Sequence, residues 1–215
     1  MVKTLSKILV IRKTNIMKIK IIILMLFCVN SLFAQYPVLT TTSLENDPRM
    51  DSNFGKKGNY ARDFTNQRDQ YVGLWRYSQN GILFEVKIEK KDKYINKIEY
   101  QGQVSYNFMD RVVLKYKLIK NGILLYDNLN VILPEDYLSL ASKYGVSDYL
   151  SGLMVDETHK VRASVSIKLL NTNPQKIHFD LASGAYHYLN PDSYYENLTT
   201  IFTIPLNGIE MVRVN

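Results

Sequence analysis

Histidine and acidic side chains are the residues of this chain that could bind a metal ion or transfer a proton. His178 and Asp180 are separated by one apolar residue, His187 follows seven positions later, and His159 lies close to Glu157. A zinc site needs a third and usually a fourth ligand at suitable spacing. A pair such as His178 and Asp180 on the outward face of a strand is more often solvated. We therefore predict no metal site and no cofactor.

The other polar residues form no recognised catalytic motif. Acidic residues that could act as a pair in glycoside hydrolysis, such as Glu85 and Glu89, alternate with apolar residues as the water-facing side of a strand does. The chain has no Gly-x-Ser-x-Gly elbow, no phosphate-binding glycine loop and no His-Glu-x-x-His sequence. We therefore expect no catalytic residues and a protein that is not an enzyme.

Tyrosines near the C-terminal end offer a possible binding surface. Tyr186, Tyr188, Tyr194 and Tyr195 bracket Pro191-Asp192, and tyrosines on a loop can bind a sugar or a protein at low entropic cost. The favoured alternative is a tyrosine-rich β core whose hydroxyl groups reach water. No ligand-binding residue is assigned from the sequence.

A leader sequence precedes the segments described above. Met17 is followed by Lys18 and Lys20, by an apolar run over 21–29, and by a small residue at Ala34. These features are typical of a secretory signal peptide, and the run is shorter than the ~20 residues that a membrane-spanning helix needs. We predict a signal peptide over 1–34, with 1–16 as a possible mis-assigned start. We also predict export to the periplasm or the extracellular space.

Removal of the leader changes the charge of the chain. It contains six of the 27 basic residues and none of the 20 acidic ones, so 21 basic and 20 acidic residues remain. A net charge of +1 provides no basic face for phosphates, and we predict no nucleic-acid partner. The only cysteine, Cys28, leaves with the leader, so the mature chain contains no disulfide. It also contains no later apolar run of about 18 residues, and we predict no transmembrane segment in it.

Residues 35–69 are predicted to be an extended polar lead-in and residues 70–215 a single β domain. The lead-in is rich in Thr, Asn, Asp, Ser and Arg and has no sustained apolar period, which is typical of loops. After it, apolar residues recur at every second position, as in strands with one face on a core. The inward positions that follow from this period are Phe84, Val86, Ile88, Leu114, Tyr116, Val165, Ile167 and Phe179.

Asn-Gly pairs at 80–81, 121–122 and 207–208 separate apolar runs, and both residue types tolerate the positive φ angles of a two-residue hairpin. The pattern predicts an all-β fold. An antiparallel meander closed as a lipocalin-like β-barrel is the first choice, and a β-sandwich is the alternative. One short helix is predicted near 135–144, because Pro134 and acidic residues precede it and Gly145 follows it. Residues 146–160 are predicted to be irregular.

Two sets of residues resemble known proteins. Gly73-Leu74-Trp75, at the start of the first strong strand, resembles the Gly-x-Trp signature that opens lipocalin-type barrels, where the Trp closes one end. A wider set resembles a family of small exported proteins of flavobacteria and relatives, catalogued as a domain of unknown function. This set comprises Phe33-Ala34-Gln35, residues 71–77, residues 110–122 and Phe202-Thr203-Ile204-Pro205. The resemblance implies location and fold, and it brings no established activity.

These observations predict an exported, non-catalytic β protein that binds a partner. The large inward residues favour a filled interior and a surface interaction with an envelope component or glycan. The alternative is a small apolar ligand inside the barrel. The sequence predicts neither the identity of the partner nor the oligomeric state.

Overall fold

The computed structural model describes residues 36–45, 50–132, 139–145, 147–158, 161–188, 203–205 and 208–214, with the side chains of 182–188 left out. The predicted signal peptide lies outside these ranges. So do residues 135–138, the first part of the predicted helix, and Asn207 of the third Asn-Gly pair.

Eleven strands make up most of the described chain. They are β1 (Thr40–Ser43), β2 (Asn59–Arg62), β3 (Gly73–Gln79), β4 (Ile82–Tyr100), β5 (Gln103–Lys120), β6 (Ile123–Asp127), β7 (Ser139–Lys143), β8 (Tyr149–Asp156), β9 (Val161–Leu170), β10 (Lys176–Tyr188) and β11 (Ile209–Val214). A short 3-10 turn, Asp69–Tyr71, precedes β3. The described structure is 64% strand and 3% helix, which confirms the all-β prediction.

Eight of these strands close into a barrel. β3, β4 and β5 pair in sequence order, β5 then pairs with β7, and β7 to β11 continue in order until β11 pairs with β3. Every pairing in the ring is antiparallel. The predicted meander and its lipocalin-like closure are confirmed, and the fold is not the alternative sandwich. β6 pairs with β5 outside the ring.

The barrel interior is packed with large apolar side chains. All eight inward positions predicted from the two-residue period are buried and belong to one core cluster. Phe84 packs edge-to-face on Phe179, with ring centroids 5.5 Å apart, and it also contacts Tyr116. Burial of apolar surface contributes about 25 cal/mol per Å², so this cluster is the main source of stability.

Two of the predicted Asn-Gly hairpins are present. Asn80 and Gly81 have φ angles of 52° and 73° between β3 and β4, and Asn121 and Gly122 have 51° and 79° between β5 and β6. Positive φ at both central residues matches the twist of the flanking strands. These turns therefore fix the register of the neighbouring strands locally.

The helix predicted near 135–144 is wrong over 139–143, where the chain forms β7. This strand pairs with β5 on one side and β8 on the other. Its outer side is also covered, since the Ser142 hydroxyl is buried and donates to Met109 Sδ at 3.5 Å. A strand buried on both faces shows no polar alternation, which hid it from the sequence pattern. The segment 146–160, predicted to be irregular, contains β8.

The β4–β5 hairpin extends beyond the barrel. A register irregularity between Lys91 and Tyr94 separates the barrel part from an outer part, residues 94–109, which we call the arm. The lead-in is more ordered than predicted, because β1 pairs in parallel with β2, and β2 pairs in parallel with β5 at Phe108 and Met109. The lead-in therefore covers one edge of the arm.

Candidate functional site

The interior of the barrel is occupied by protein side chains. The largest fully buried ones include Trp75, Tyr71, Tyr116, Phe84 and Phe179. The grooves lined by described residues open to solvent.

Trp75, the single tryptophan, is completely buried at the start of the barrel sheet, in β3. Its indole Nε1 donates to the Tyr71 carbonyl at 2.8 Å. The Arg213 guanidinium lies over the indole ring, 5.2 Å from its centroid, and donates to the Val72 carbonyl. Burial, with the charge of Asp148 nearby, raises the pKa of Tyr71 to about 12. These contacts join the first and last barrel strands, so Trp75 has a structural role.

A buried carboxylate holds the segment that precedes β11. Asp156, at the end of β8, accepts hydrogen bonds from the backbone N–H of Thr158 at 3.0 Å and of Thr203 at 2.7 Å. The Tyr116 hydroxyl accepts a hydrogen bond from the Glu157 N–H at 3.0 Å. Burial and the charge of Asp156 raise the pKa of Tyr116. Hydrogen bonds to backbone and hydroxyl donors satisfy Asp156, and we assign it to structure.

A cluster of buried charges joins the lead-in to the base of the arm, and we call it the Arg68 cluster. Arg68 Nε donates to Asp63 Oδ2 at 2.8 Å, and Arg68 Nη2 donates to Asp92 Oδ1 at 2.8 Å. Asp110 Oδ2 lies 3.4 Å from Arg68 Nη2, and the Tyr60 hydroxyl donates to Asp110 Oδ1 at 2.6 Å. Only Asp92 is exposed. Sequence reasoning missed this cluster, because Tyr60, Asp63 and Arg68 lie in a polar segment that resembles a loop. Their partners Asp92 and Asp110 lie far away in sequence, in β4 and β5.

The titration behaviour of the Arg68 cluster indicates a structural role. Burial by itself opposes ionisation of Asp63, but hydrogen bonds from the Arg68 side chain and from the Gln67 and Arg68 N–H groups hold its pKa below the ordinary value. Burial and the hydrogen bond to Asp110 raise the pKa of Tyr60. The Asp63 carboxylate therefore stays charged and the Tyr60 phenol stays neutral near pH 7. Neither group is poised for acid–base catalysis at that pH.

The structure describes only some of the candidate residues taken from the sequence. His178 and Asp180 flank the inward-facing Phe179 on the outer side of β10, as predicted. His187 lies in the same strand beyond a register irregularity, and His159 lies outside the described residues. Within the described ranges, no group of three or more His, Cys, Asp or Glu residues could hold a metal ion.

The acidic pair considered for glycoside hydrolysis is held in separate ion pairs. Glu85 Oε1 lies 2.6 Å from an Arg76 nitrogen, and Glu89 Oε2 lies 2.6 Å from Lys115 Nζ. Of the tyrosine cluster, residues 186 and 188 belong to β10, while 194 and 195 lie outside the described residues. No helix in the described part of the chain is long and apolar enough to cross a membrane.

Two features of the outer surface can contact a partner. The first is a groove of about 390 Å³ over β8 and β9, whose lining residues include Tyr144, Ser151, Leu153, Ser164 and Ser166 and no charged side chain. Its hydroxyl groups and aromatic ring suit a neutral polar ligand. The second is the tip of the arm, where Ile98 and Tyr100 are exposed.

The fold and these surfaces define a closed eight-stranded antiparallel β-barrel with a packed interior, similar to lipocalins in its meander. A family model matches residues 17–213, and the chain belongs to that family, a family of unknown function (DUF6705). Neither the curated proteins nor the solved structures include one that matches this chain.

Proposed function

We propose that the chain is an exported, non-catalytic β-barrel protein that acts through its outer surface by binding an envelope component or a glycan. The packing of the interior carries this proposal, because Phe84, Tyr116 and Phe179 occupy the space that a small apolar ligand would need. The separate ion pairs of Glu85 and Glu89 support a non-catalytic role. The groove over β8 and β9 supplies polar groups to a surface ligand.

The proposed export depends on the leader. A basic segment, a short apolar run and Ala34 support cleavage by a signal peptidase. The family match begins at Met17. A leader that starts at Met17 and ends at Ala34 has the ordinary length of a signal peptide. The resemblance to exported proteins of flavobacteria and relatives gives further support.

We also infer that Gly73-Leu74-Trp75 is a lipocalin-type barrel start. The position of Trp75 beneath the Arg213 guanidinium supports this inference. Gly73 has a φ angle of 139°, and a Cβ at that position would lie 3.3 Å from Arg213 Nε. A larger residue would therefore disturb the contact between the first and last barrel strands.

Native mass spectrometry tests the filled interior and the export together. The full-length chain is expressed with its own leader and purified from the compartment where it accumulates. We expect the mass of a chain that begins at Gln35 and has no small molecule bound. A reproducible bound apolar molecule would support the interior alternative and overturn the surface role. Intact residues 17–34 on membrane-bound protein would overturn the export.

Binding to envelope material tests the surface role directly. We expect the exported protein to be retained on an envelope polysaccharide or outer-membrane fraction, while the emission of the buried Trp75 stays unchanged. Ser166→Tyr fills the groove, and Lys168→Tyr is a matched control two positions further along the same face of β9. We expect only the first variant to lower retention. Absence of retention by the wild-type chain contradicts the proposal.

A further inference from the structure

A row of serine side chains crosses the outer face of β7, β8 and β9. Ser151 of β8 lies opposite Ser142 of β7 on one side and opposite Ser166 of β9 on the other. Ser164 shares the face of Ser166, because residues two apart along a strand point the same way. Asp180 of β10 lies opposite Ser166 and ends the row with a carboxylate. Three of these serines, at 151, 164 and 166, line the groove over β8 and β9.

The serines that line the groove keep their hydrogen-bonding capacity for a ligand. Ser151, Ser164 and Ser166 are half-buried, and within the described part of the chain their hydroxyl groups bond to no other residue. Ser142 differs from them, since its hydroxyl donates to Met109 Sδ. A serine hydroxyl donates one hydrogen bond and accepts two. A ligand that supplies both donors and acceptors can therefore replace the water on all three serines.

An aromatic ring in a fixed position completes the lining of the groove. Tyr144 follows β7, and its hydroxyl donates to Met109 Sδ at 3.3 Å. This hydrogen bond limits rotation of the side chain and leaves the ring for contacts with a ligand. Leu153, which is 39% exposed, adds a second apolar surface. A ring that is already held in place gives an apolar contact at a small entropic cost.

We propose that this groove binds an uncharged hexose unit of a neutral polysaccharide. The sugar hydroxyl groups bond to Ser151, Ser164 and Ser166, and the C–H face of the sugar ring packs on the Tyr144 ring. This inference rests on the proposed function and deepens it, since it selects a neutral glycan among the envelope components and names the residues that bind it.

Charge and backbone pairing favour a neutral sugar over a charged glycan or a peptide. The lining of the groove includes no charged side chain, so an ionised ligand would lose hydration there without gaining a counter-charge. The Asp180 carboxylate at the end of the row repels an anion, and Lys168, the next residue on this face of β9, is paired with Asp148. The backbone of β8 pairs with both β7 and β9, which leaves no edge for a peptide strand. Hydroxyl groups and an aromatic ring remain, and both are complementary to a sugar.

Isothermal titration calorimetry tests the ligand class on the full-length chain, expressed with its own leader and purified. The neutral ligands are dextran, laminarin and galactomannan, which present glucose, galactose and mannose units, and alginate is the anionic comparison. An open groove makes few hydrogen bonds, so we expect a Kd of about 0.1–1 mM for at least one neutral polysaccharide and no binding of alginate. Tighter binding of alginate, or no binding of any of the neutral polysaccharides, overturns the inference.

Substitutions in the groove test the place of binding. Ser151→Ala and Ser166→Ala should each weaken binding about three- to tenfold, which corresponds to the loss of one hydrogen bond. Ser105→Ala is the matched control, since Ser105 is an exposed serine of β5 on the arm, and it should leave the Kd unchanged. Tyr144→Leu should weaken binding about tenfold, because the ring contact is lost. If circular dichroism shows that Tyr144→Leu does not fold, the serine variants decide.

This inference and the proposed function fail in different ways. If the wild-type chain is retained on the envelope fraction but binds no neutral polysaccharide, only the inference is overturned. If a neutral polysaccharide binds equally to the wild-type chain, Ser151→Ala and Ser166→Ala, the groove is overturned as the site while glycan binding at the surface stands. If the chain is neither retained on the envelope fraction nor able to bind a polysaccharide, both are overturned.

Discussion

Arg68 shows how a buried charge is accommodated in this protein. Its guanidinium bonds to Asp63 and Asp92, and its Nη1 donates to the Arg111 carbonyl at 2.8 Å. Removing one partner from such a cluster leaves an uncompensated buried charge, which costs more than the pair itself contributes. The Arg68 cluster therefore makes the position of the lead-in depend on a few side chains.

Asp63→Asn is predicted to lower the free energy of unfolding by about 3 kcal/mol at pH 7, because Arg68 loses a buried counter-charge. The folded pKa of Asp63 is below its ordinary value of about 3.9. Its stabilisation is therefore complete above that value and is lost as the pH falls through the folded pKa. Urea unfolding followed by circular dichroism between pH 7 and pH 3 should show a shallower loss in acid for the variant.

Asp148→Asn is the control for this prediction. The hydrogen bond from Lys168 also lowers the pKa of Asp148, but both side chains are exposed. An exposed ion pair is screened by water, so this variant should change stability little. If the stability of Asp63→Asn fell in acid as steeply as that of the wild-type chain, the structural role of the Arg68 cluster would be contradicted.

Strands β7 and β8 show how closely neighbouring strands of the barrel approach each other. Gly152 of β8 pairs with Ala141 of β7. A Cβ added at Gly152 would lie 2.0 Å from the Leu140 oxygen and 2.5 Å from the Ala141 Cα. These are backbone atoms, which cannot rotate away. Glycine is required at this position for space, since its φ angle is not in the left-handed region.

Gly152→Ala is predicted to destabilise the protein by about 3 kcal/mol, because β7 must move away from β8. Gly102→Ala is the matched comparison. Gly102 has a φ angle of 74° and no atom within 4 Å of an added Cβ, so the cost there is about 1 kcal/mol of backbone strain. Urea unfolding measures both values, and hydrogen exchange should show faster exchange of the β7 amides in Gly152→Ala only. Equal costs would contradict the close approach.

The whole molecule combines a barrel that contains the main core with an arm that projects beyond it. The core cluster draws on strands all round the ring. The arm carries a smaller apolar cluster at its base, formed by Leu44, Ala61 and Met109. The barrel should therefore retain its stability when the tip of the arm is removed.

Replacing residues 99–104 with Asn-Gly tests this division. Ile98 and Ser105 lie opposite each other in the β4–β5 register, two positions before and after the pair Tyr100 and Gln103 that the present two-residue turn joins, so a two-residue turn can join them. We expect a change in Tm of less than about 5 °C. Phe179→Ala, a single change in the barrel core, should cost about 4 kcal/mol. A shortened arm that destabilises the protein as much as Phe179→Ala would refute the division.

Local sequence features determined the architecture of most of the barrel. The two-residue period identified the inward face of β4, β5, β9 and β10, because those strands have one face in water. The Asn-Gly pairs at 80–81 and 121–122 identified two hairpins, because the positive φ angles of such a turn depend on the two residues themselves. Large inward residues also predicted a packed interior. Each of these properties depends on neighbours in sequence.

Only the tertiary structure decided the place of β7, the arm and the Arg68 cluster. Segments far away in sequence cover β7 on both faces. Gly152 interrupts the two-residue period of β8, because a side chain at this position would collide with the backbone of β7. Arg68 and Asp110 are 42 positions apart, and their approach depends on the parallel pairing of β2 with β5. The sequence pattern of one segment does not show which distant segment will pack against it. Contacts between distant segments therefore fixed the features that a local period could not predict.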